Sequence, residues 1–188
     1  MKSNIISAAL IVLLMVIAGP AWSAGVMVEA RAGYFSPQDA VFRQVYKHGP
    51  AYGSEITVTL TRGLGFWFGA EVFTKKGLTT FTQEATKIQL IPIYGGLKYE
   101  FGARAWVVKP YLGAAVGYFR YQEESVIGSA SSGAVGFVGQ AGLLFRAFAP
   151  LHFDLYFRYS SCRVTPSGET ESTQIGGYQG GAGIAFRF

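Results

Sequence analysis

"LHFDLYFRYS", residues 151–160, decides the fold. Leu151, Phe153, Leu155, Phe157 and Tyr159 alternate with His152, Asp154, Tyr156, Arg158 and Ser160. A period of two places the two sets on opposite faces of a β-strand. One face is entirely bulky and apolar, and the other carries an acid and an arginine. A soluble sandwich strand can alternate in the same way, so composition has to decide which face is dry. Half of the 188 residues are hydrophobic, 15% are aromatic and 25 are glycine. Only 14% are charged, against about a quarter in an ordinary soluble domain. After residue 25 no apolar run reaches the ~18 residues of a spanning helix. A chain this apolar that crosses a membrane without helices has one solution, a closed β-barrel. Its strands turn bulky residues toward lipid and small or polar residues toward the lumen.

The rest of the chain divides on the same pattern. In "VMVEARAGYF" (26–35), Val28, Ala30, Ala32 and Tyr34 face out while Glu29, Arg31 and Gly33 face in. "SEITVTL" (54–60) sets Ile56, Val58 and Leu60 against Glu55, Thr57 and Thr59. "FWFGAEVFT" (66–74) turns Phe66, Phe68, Ala70 and Val72 out and Gly69 and Glu71 in. In "TKIQLIPIYGGLKYEF" (86–101), Lys87 and Gln89 face in, yet Ile91 and Ile93 continue the same parity. Pro92 lacks the N–H of a ladder bond, so a bulge that shifts register by one is expected there, leaving Lys98 inside. "KPYLGAAVGYFRYQ" (109–122) and "GAVGFVGQAGLLFR" (133–146) follow, the latter with Gln140 and Arg146 inside. "QIGGYQGGAGIAFRF" (174–188) is the last strand.

The expectation is therefore an all-β, eight-stranded antiparallel up-and-down transmembrane barrel. Long polar segments (36–53, 75–85, 123–132 and 161–173) alternate with short turns (61–65, 102–105 and 147–150). Such asymmetry is a membrane signature, with long loops outside and short turns in the periplasm. An even strand count brings the last strand beside the first, and closure removes the open edge. It also sets Arg187 near the foot of the first strand, so an Arg187–Glu29 contact is expected. Asp154 and Arg158 share a face about 13 Å apart, and each needs a partner on a neighbouring strand.

The N-terminus reads separately. Lys2, the apolar run Ile5–Ile17, a Gly19-Pro20 break and Ala21-Trp22-Ser23 form the three-part pattern of a cleavable secretory signal peptide. Residues 1–23 are assigned to it, with cleavage after Ser23 or Ala24, and residues 24–188 to the barrel. The net charge of +5 comes from arginines scattered singly among aromatics, with no basic run, so nucleic acid is not an expected partner. The one cysteine, Cys162, has no disulfide partner. No Cys/His cluster has zinc spacing, and no cofactor or metal is expected.

The alternation Ala182, Ile184, Phe186, Phe188 is similar to the terminal signal that bacterial outer-membrane proteins present to the barrel-assembly machinery. With "IPIYGGLKYEF" followed by "KPYLGAAVGYF", the chain resembles the small eight-stranded outer-membrane barrels, whose familiar members are OmpX, OmpW and the membrane domain of OmpA. The resemblance implies residence in the bacterial outer membrane among its lipid and lipopolysaccharide. It also implies periplasmic chaperones and the assembly machinery as transient partners; a monomer is the default expectation.

An eight-stranded barrel is just wide enough to be filled by side chains. Glu29, Arg31, Glu55, Glu71, Lys87, Lys98, Gln140, Arg146, Asp154, Arg158 and Arg187 are the expected lumen set. With both signs present, they read as a salt-bridged plug, and the expected role is structural or surface-interaction. The alternative is a channel for small, hydrophobic solutes, as proposed for OmpW-like relatives. In the first loop Phe42, Arg43, Tyr46, Lys47, His48 and Tyr52 mix aromatic and basic character. They suit lipopolysaccharide phosphates or a partner surface, or a lid folded over the barrel mouth. A second alternative is a lipid A-modifying enzyme, which needs a Ser/His pair with a carboxylate near the outer leaflet. His152 follows a short turn, at the wrong end for that, and no His-x-Ser pair occurs. No enzymatic activity is expected.

Overall fold

The computed structural model describes residues 25–61, 63–78, 85–103, 105–125, 128–164 and 173–188. The signal-peptide assignment lies outside the described residues. Eight antiparallel strands form a closed barrel: β1 (Val26–Pro37), β2 (Gly49–Thr61), β3 (Leu64–Leu78), β4 (Ala85–Glu100), β5 (Val108–Ser125), β6 (Gly128–Phe148), β7 (Leu151–Ser161) and β10 (Gly177–Arg187). Between β1 and β2 lies a short helix, α1 (Ala40–Tyr46). A small ladder, β8 (Arg163–Val164) with β9 (Thr173–Gln174), stands between β7 and β10.

Closure is made by β10 on β1, in register from Met27 opposite Arg187 to Pro37 opposite Gly177. Val26 and Phe188 complete it with two backbone bonds, Val26 N–H to Phe188 O at 3.1 Å and Phe188 N–H to Val26 O at 2.8 Å. The last residue is therefore part of the seam. Both ends of the barrel wall lie at one rim, called here the terminal end, and α1 and β8–β9 lie at the opposite loop end.

The polarity of the wall is set by side-chain parity. Phe66 is 45% exposed, Trp67 0% and Phe68 55%, so adjacent aromatics go to opposite sides. Phe137, Leu112, Leu155, Phe157 and Ile184 all stand on the outside. They continue an apolar surface far larger than the few hundred Å² that soluble monomers expose. Inside, two apolar clusters flank a charged middle. Phe35, Phe73, Ile88, Leu90, Phe119 and Tyr121 fill the loop-end half, with Phe42 and Tyr46 of α1 over them. Met27, Leu144 and Ala185 lie toward the terminal end, and Tyr111 and Tyr156 of the same cluster reach into the charged middle.

Two expectations need correction. No bulge occurs at Pro92: the β4–β5 register runs unbroken from Thr86 opposite Ser125 to Glu100 opposite Tyr111. The β3–β4 pairing merely skips a step between Ala70–Ile93 and Phe73–Leu90 and resumes unshifted. Pro92 costs a ladder bond without moving the register. In consequence Lys87 points outward and is exposed, while Thr86, Ile88 and Leu90 point in. The long segments are also more ordered than their polarity implied. β3 continues to Leu78, and β5 and β6 pair as far as Ser125 opposite Gly128.

Candidate functional site

The charged middle of the lumen centres on Arg31. Its Nε donates to Glu29 Oε1 at 2.6 Å, and Nη1 donates to Glu55 Oε2 at 2.5 Å and Gln140 Oε1 at 2.8 Å. Nη2 reaches Asp154 Oδ2 at 2.7 Å and Glu29 Oε2 at 3.1 Å. Local geometry explains the position. Glu29 stands directly opposite Glu55 in the β1–β2 ladder, a like-charge pair that is unfavourable alone. Arg31, two residues along on the same face, binds both. Its own ladder neighbours are Gly53 and Gly183. A Cβ at Gly183 would fall 2.1 Å from Glu29 Oε1, and one at Gly53 would fall 2.4 Å from Glu71 Cγ. A side chain at Gly183 would push the Glu29 carboxylate from its place, and one at Gly53 would collide with Glu71 and with the backbone at Ala70.

Arg158 is the second node. Nε donates to Gln140 Oε1 at 3.0 Å, Nη2 donates to Glu55 Oε2 at 2.9 Å, and Nη1 pairs with Glu71. Its guanidinium lies 4.6 Å from the centre of the Tyr94 ring. Lys98 stands 3.7 Å from Glu55 Oε1 and 4.1 Å from the centre of the Tyr111 ring. Glu29, Glu55, Glu71 and Asp154 thus meet Arg31, Lys98 and Arg158, four carboxylates against three cations. Neutral donors make up the difference. Tyr111 OH donates to Asp154 at 2.8 Å, Tyr94 OH to Glu55 at 3.4 Å and Gln179 Nε2 to Glu71 at 3.3 Å. All these side chains are buried, and together they bridge the lumen from wall to wall.

The lumen set separates accordingly. Glu29, Arg31, Glu55, Glu71, Lys98, Gln140, Asp154 and Arg158 come together. Lys87 lies on the outer wall. Arg146 has inward parity but sits below the closed layer, exposed at the terminal end, where Nη2 donates to Ala105 O at 3.0 Å. Arg187 does not touch Glu29, because Arg31 already claims that carboxylate. It pairs instead with Glu100 across the lumen and donates to Met27 Sδ at 3.4 Å. Asp154 finds its cation on β1, beyond the adjacent β10. Tyr94, Tyr111, Tyr156, Gln179 and Glu100 were not singled out as network members. Parity marks all five as inward, but no spacing rule marks a tyrosine as the donor to a particular carboxylate across a barrel.

At the loop end, Asp39 caps α1 by accepting from Phe42 N–H at 2.9 Å. Phe42 and Tyr46 are buried beneath the helix, while Arg43, Lys47 and His48 are exposed. Tyr52 does not belong to this group: β2 starts at Gly49, which puts Tyr52 on the outer wall. Lys76 and Lys87 stand directly opposite each other on that wall. At the terminal end, Ala182, Ile184, Phe186 and Phe188 all face out. His152 holds its Nδ1 3.0 Å from Pro150 O. Among the described residues no group of His, Cys, Asp and Glu is arranged to hold a metal.

A closed eight-stranded up-and-down barrel, apolar outside and ion-paired inside, is the architecture of the small outer-membrane barrels. No family model matches the sequence, and no curated protein sequence matches it. Solved structures do match. Neisserial surface protein A superposes with a TM-score of 0.60 at 16% identity, over 90% of this chain and 100% of that one. Escherichia coli outer membrane protein W gives 0.57 at 14%, over 88% and 98%. Ail, the attachment invasion locus protein of Yersinia pestis, in complex with the heparin analogue sucrose octasulfate, gives 0.52 at 14%, over 87% and 97%. At these identities the likeness is one of fold.

Proposed function

We propose that this chain is an integral, monomeric barrel of a bacterial outer membrane with a structural or surface-interaction role and a lumen that does not conduct. The observation that carries this reading is the wall-to-wall network on Arg31 and Arg158, closed above by Phe42 and Tyr46 of α1. Removing one partner of a buried ion pair costs about 3–5 kcal/mol, so the layer holds only with its charges in place. The outward Phe186 and Phe188 support recognition by the assembly machinery during insertion. Exposed Arg43, Lys47, Lys76 and Lys87 support contact with anionic groups of lipopolysaccharide at the loop end. Ail bound to a sulfated sugar is a precedent on the same fold. Planar-bilayer recording on the purified barrel tests the reading. Silence is expected, and discrete channel events contradict it.

One observation favours a second reading, passage of small hydrophobic solutes. The loop-end half of the lumen is lined by Phe35, Phe73, Leu90, Phe119 and Val138 around a cavity of about 20 Å³, a volume that holds at most one water. An apolar solute would have to displace α1 to enter. Saturable quenching of Trp67, which borders this region, by a brominated alkane would support that reading. Unchanged emission would remove it. No reaction is assigned to the chain, and an unchanged lipid A mass on expression is the expected result.

A further inference from the structure

Parity assigns each charge of the barrel strands to the lumen or to the outer wall. Among the described residues the barrel strands turn three cations outward, Lys76 of β3, Lys87 of β4 and Arg120 of β5, and all three are exposed. They stand on adjacent strands, and all of them at the loop end. The other sector of the same rim is aromatic and neutral in its barrel strands, with Tyr34 of β1, Tyr178 of β10 and Tyr159 of β7 in ring contacts there. Lys76 and Lys87 are directly opposite each other in the β3–β4 ladder. Directly opposed Cβ atoms lie about 4.5–5.5 Å apart, and like charges so placed repel. Glu124 is the ladder partner of Lys87 on β5, two strands away from Lys76. The row thus holds one acid for two lysines.

The height of the pair says what can reach it. Down the outer face Lys76 is followed by Thr74 and Val72, and Lys87 by Gln89 and Ile91. Four residues span about 13 Å of strand, or about 10 Å of height at the usual barrel tilt. Arg120 stands opposite Ile91, two residues beyond the exposed Tyr118, at the edge of the apolar belt. The cations therefore lie at headgroup level and face along the membrane plane. A partner that meets them from that side is a lipid of the same leaflet. We infer that this sector is a site for a phosphate of lipid A. Lys76 and Lys87 clamp the phosphate between them, and its acyl chains run down the wall past the exposed Val72 and Ile93. Lysine binds phosphate as a point charge, and an anion between the two ammonium groups turns their repulsion into attraction. The inference rests on the outer-membrane reading above and narrows its lipopolysaccharide contact to one face of the wall, away from Arg43 and Lys47 of α1.

Native mass spectrometry of the full barrel in non-ionic detergent, titrated with diphosphoryl lipid A, tests the site. One lipid A is expected to be retained per barrel. The fully dephosphorylated form is expected to bind about tenfold more weakly or worse. Lys76→Gln with Lys87→Gln is expected to weaken binding of the diphosphoryl form by about tenfold or more. Arg43→Gln with Lys47→Gln is expected to leave it unchanged. All four side chains are exposed, and the gel mobility of unheated samples checks that each variant is a closed barrel. Equal binding of the two forms of the lipid overturns the proposal, and so does full retention in the Lys76 and Lys87 variant. A loss confined to the Arg43 and Lys47 variant also overturns it, while leaving lipopolysaccharide contact at the loop end standing. Binding of neither lipid removes both.

Discussion

Arg31 is where the lumen is most tightly specified. It touches Glu29, Glu55, Asp154, Gln140 and Tyr111 through one guanidinium. Arg31→Gln leaves several buried carboxylate oxygens uncompensated and is expected to lower stability by about 3–5 kcal/mol, read as a lower urea midpoint by tryptophan fluorescence. Lys87→Gln, on the exposed outer wall, is expected to stay within about 0.5 kcal/mol. Equal midpoints for the two variants would show the network to be energetically idle. The contrast also marks what was legible. Alternation alone puts Glu29, Arg31, Glu55 and Asp154 inside, since the apolar residues of their strands, Val28, Ala30, Ile56, Phe153 and Leu155, fall on the opposite parity. Lys87 misleads because the polarity code reverses above the apolar belt. There the outer wall is polar, and Ile88 and Leu90 fill the mouth. A uniform code then demanded a bulge at Pro92 that the chain does not make.

Among the elements, α1 is the part that differs most from a plain hairpin loop. It is only seven residues long, too short to hold by itself, and rests on its cap and on Phe42 and Tyr46. Asp39→Ala is expected to cost the helix about 0.5–2 kcal/mol. Hydrogen exchange in residues 40–46 should speed up, while the urea midpoint of the barrel stays put. A fall in that midpoint would mean that the lid and wall unfold as one. The sequence hints at this element only through Asp39 and the aromatic pair. Its docking depends on residues of β3 and β4 that are distant in sequence. At the other side of the mouth Cys162 is buried and donates weakly to Ala134 O at 3.6 Å. Burial pushes its thiol up to about 11. The thiolate that reacts is thus scarce at pH 8. Iodoacetamide is expected to leave the folded barrel unmodified and to label the urea-unfolded chain. Rapid labelling of the folded protein would contradict that burial.

For the whole molecule, one physical premise governs everything else: the bulky side of each two-residue repeat faces hydrocarbon. Strand count, closure and the plugged lumen were readable because they follow from that premise with period-two parity. The partner of each charge was not, because pairs such as Arg31–Asp154 and Arg187–Glu100 span strands that no local pattern connects. The most direct test places single nitroxide labels along β7, at 153, 154, 155, 156 and 157 in a Cys162→Ser background, in lipid vesicles. Collision rates with oxygen and with a water-soluble nickel chelate are then compared. Positions 153, 155 and 157 should favour oxygen strongly, with 154 and 156 shielded from both reagents. Ready access of the nickel chelate to 153, 155 and 157 would contradict the account.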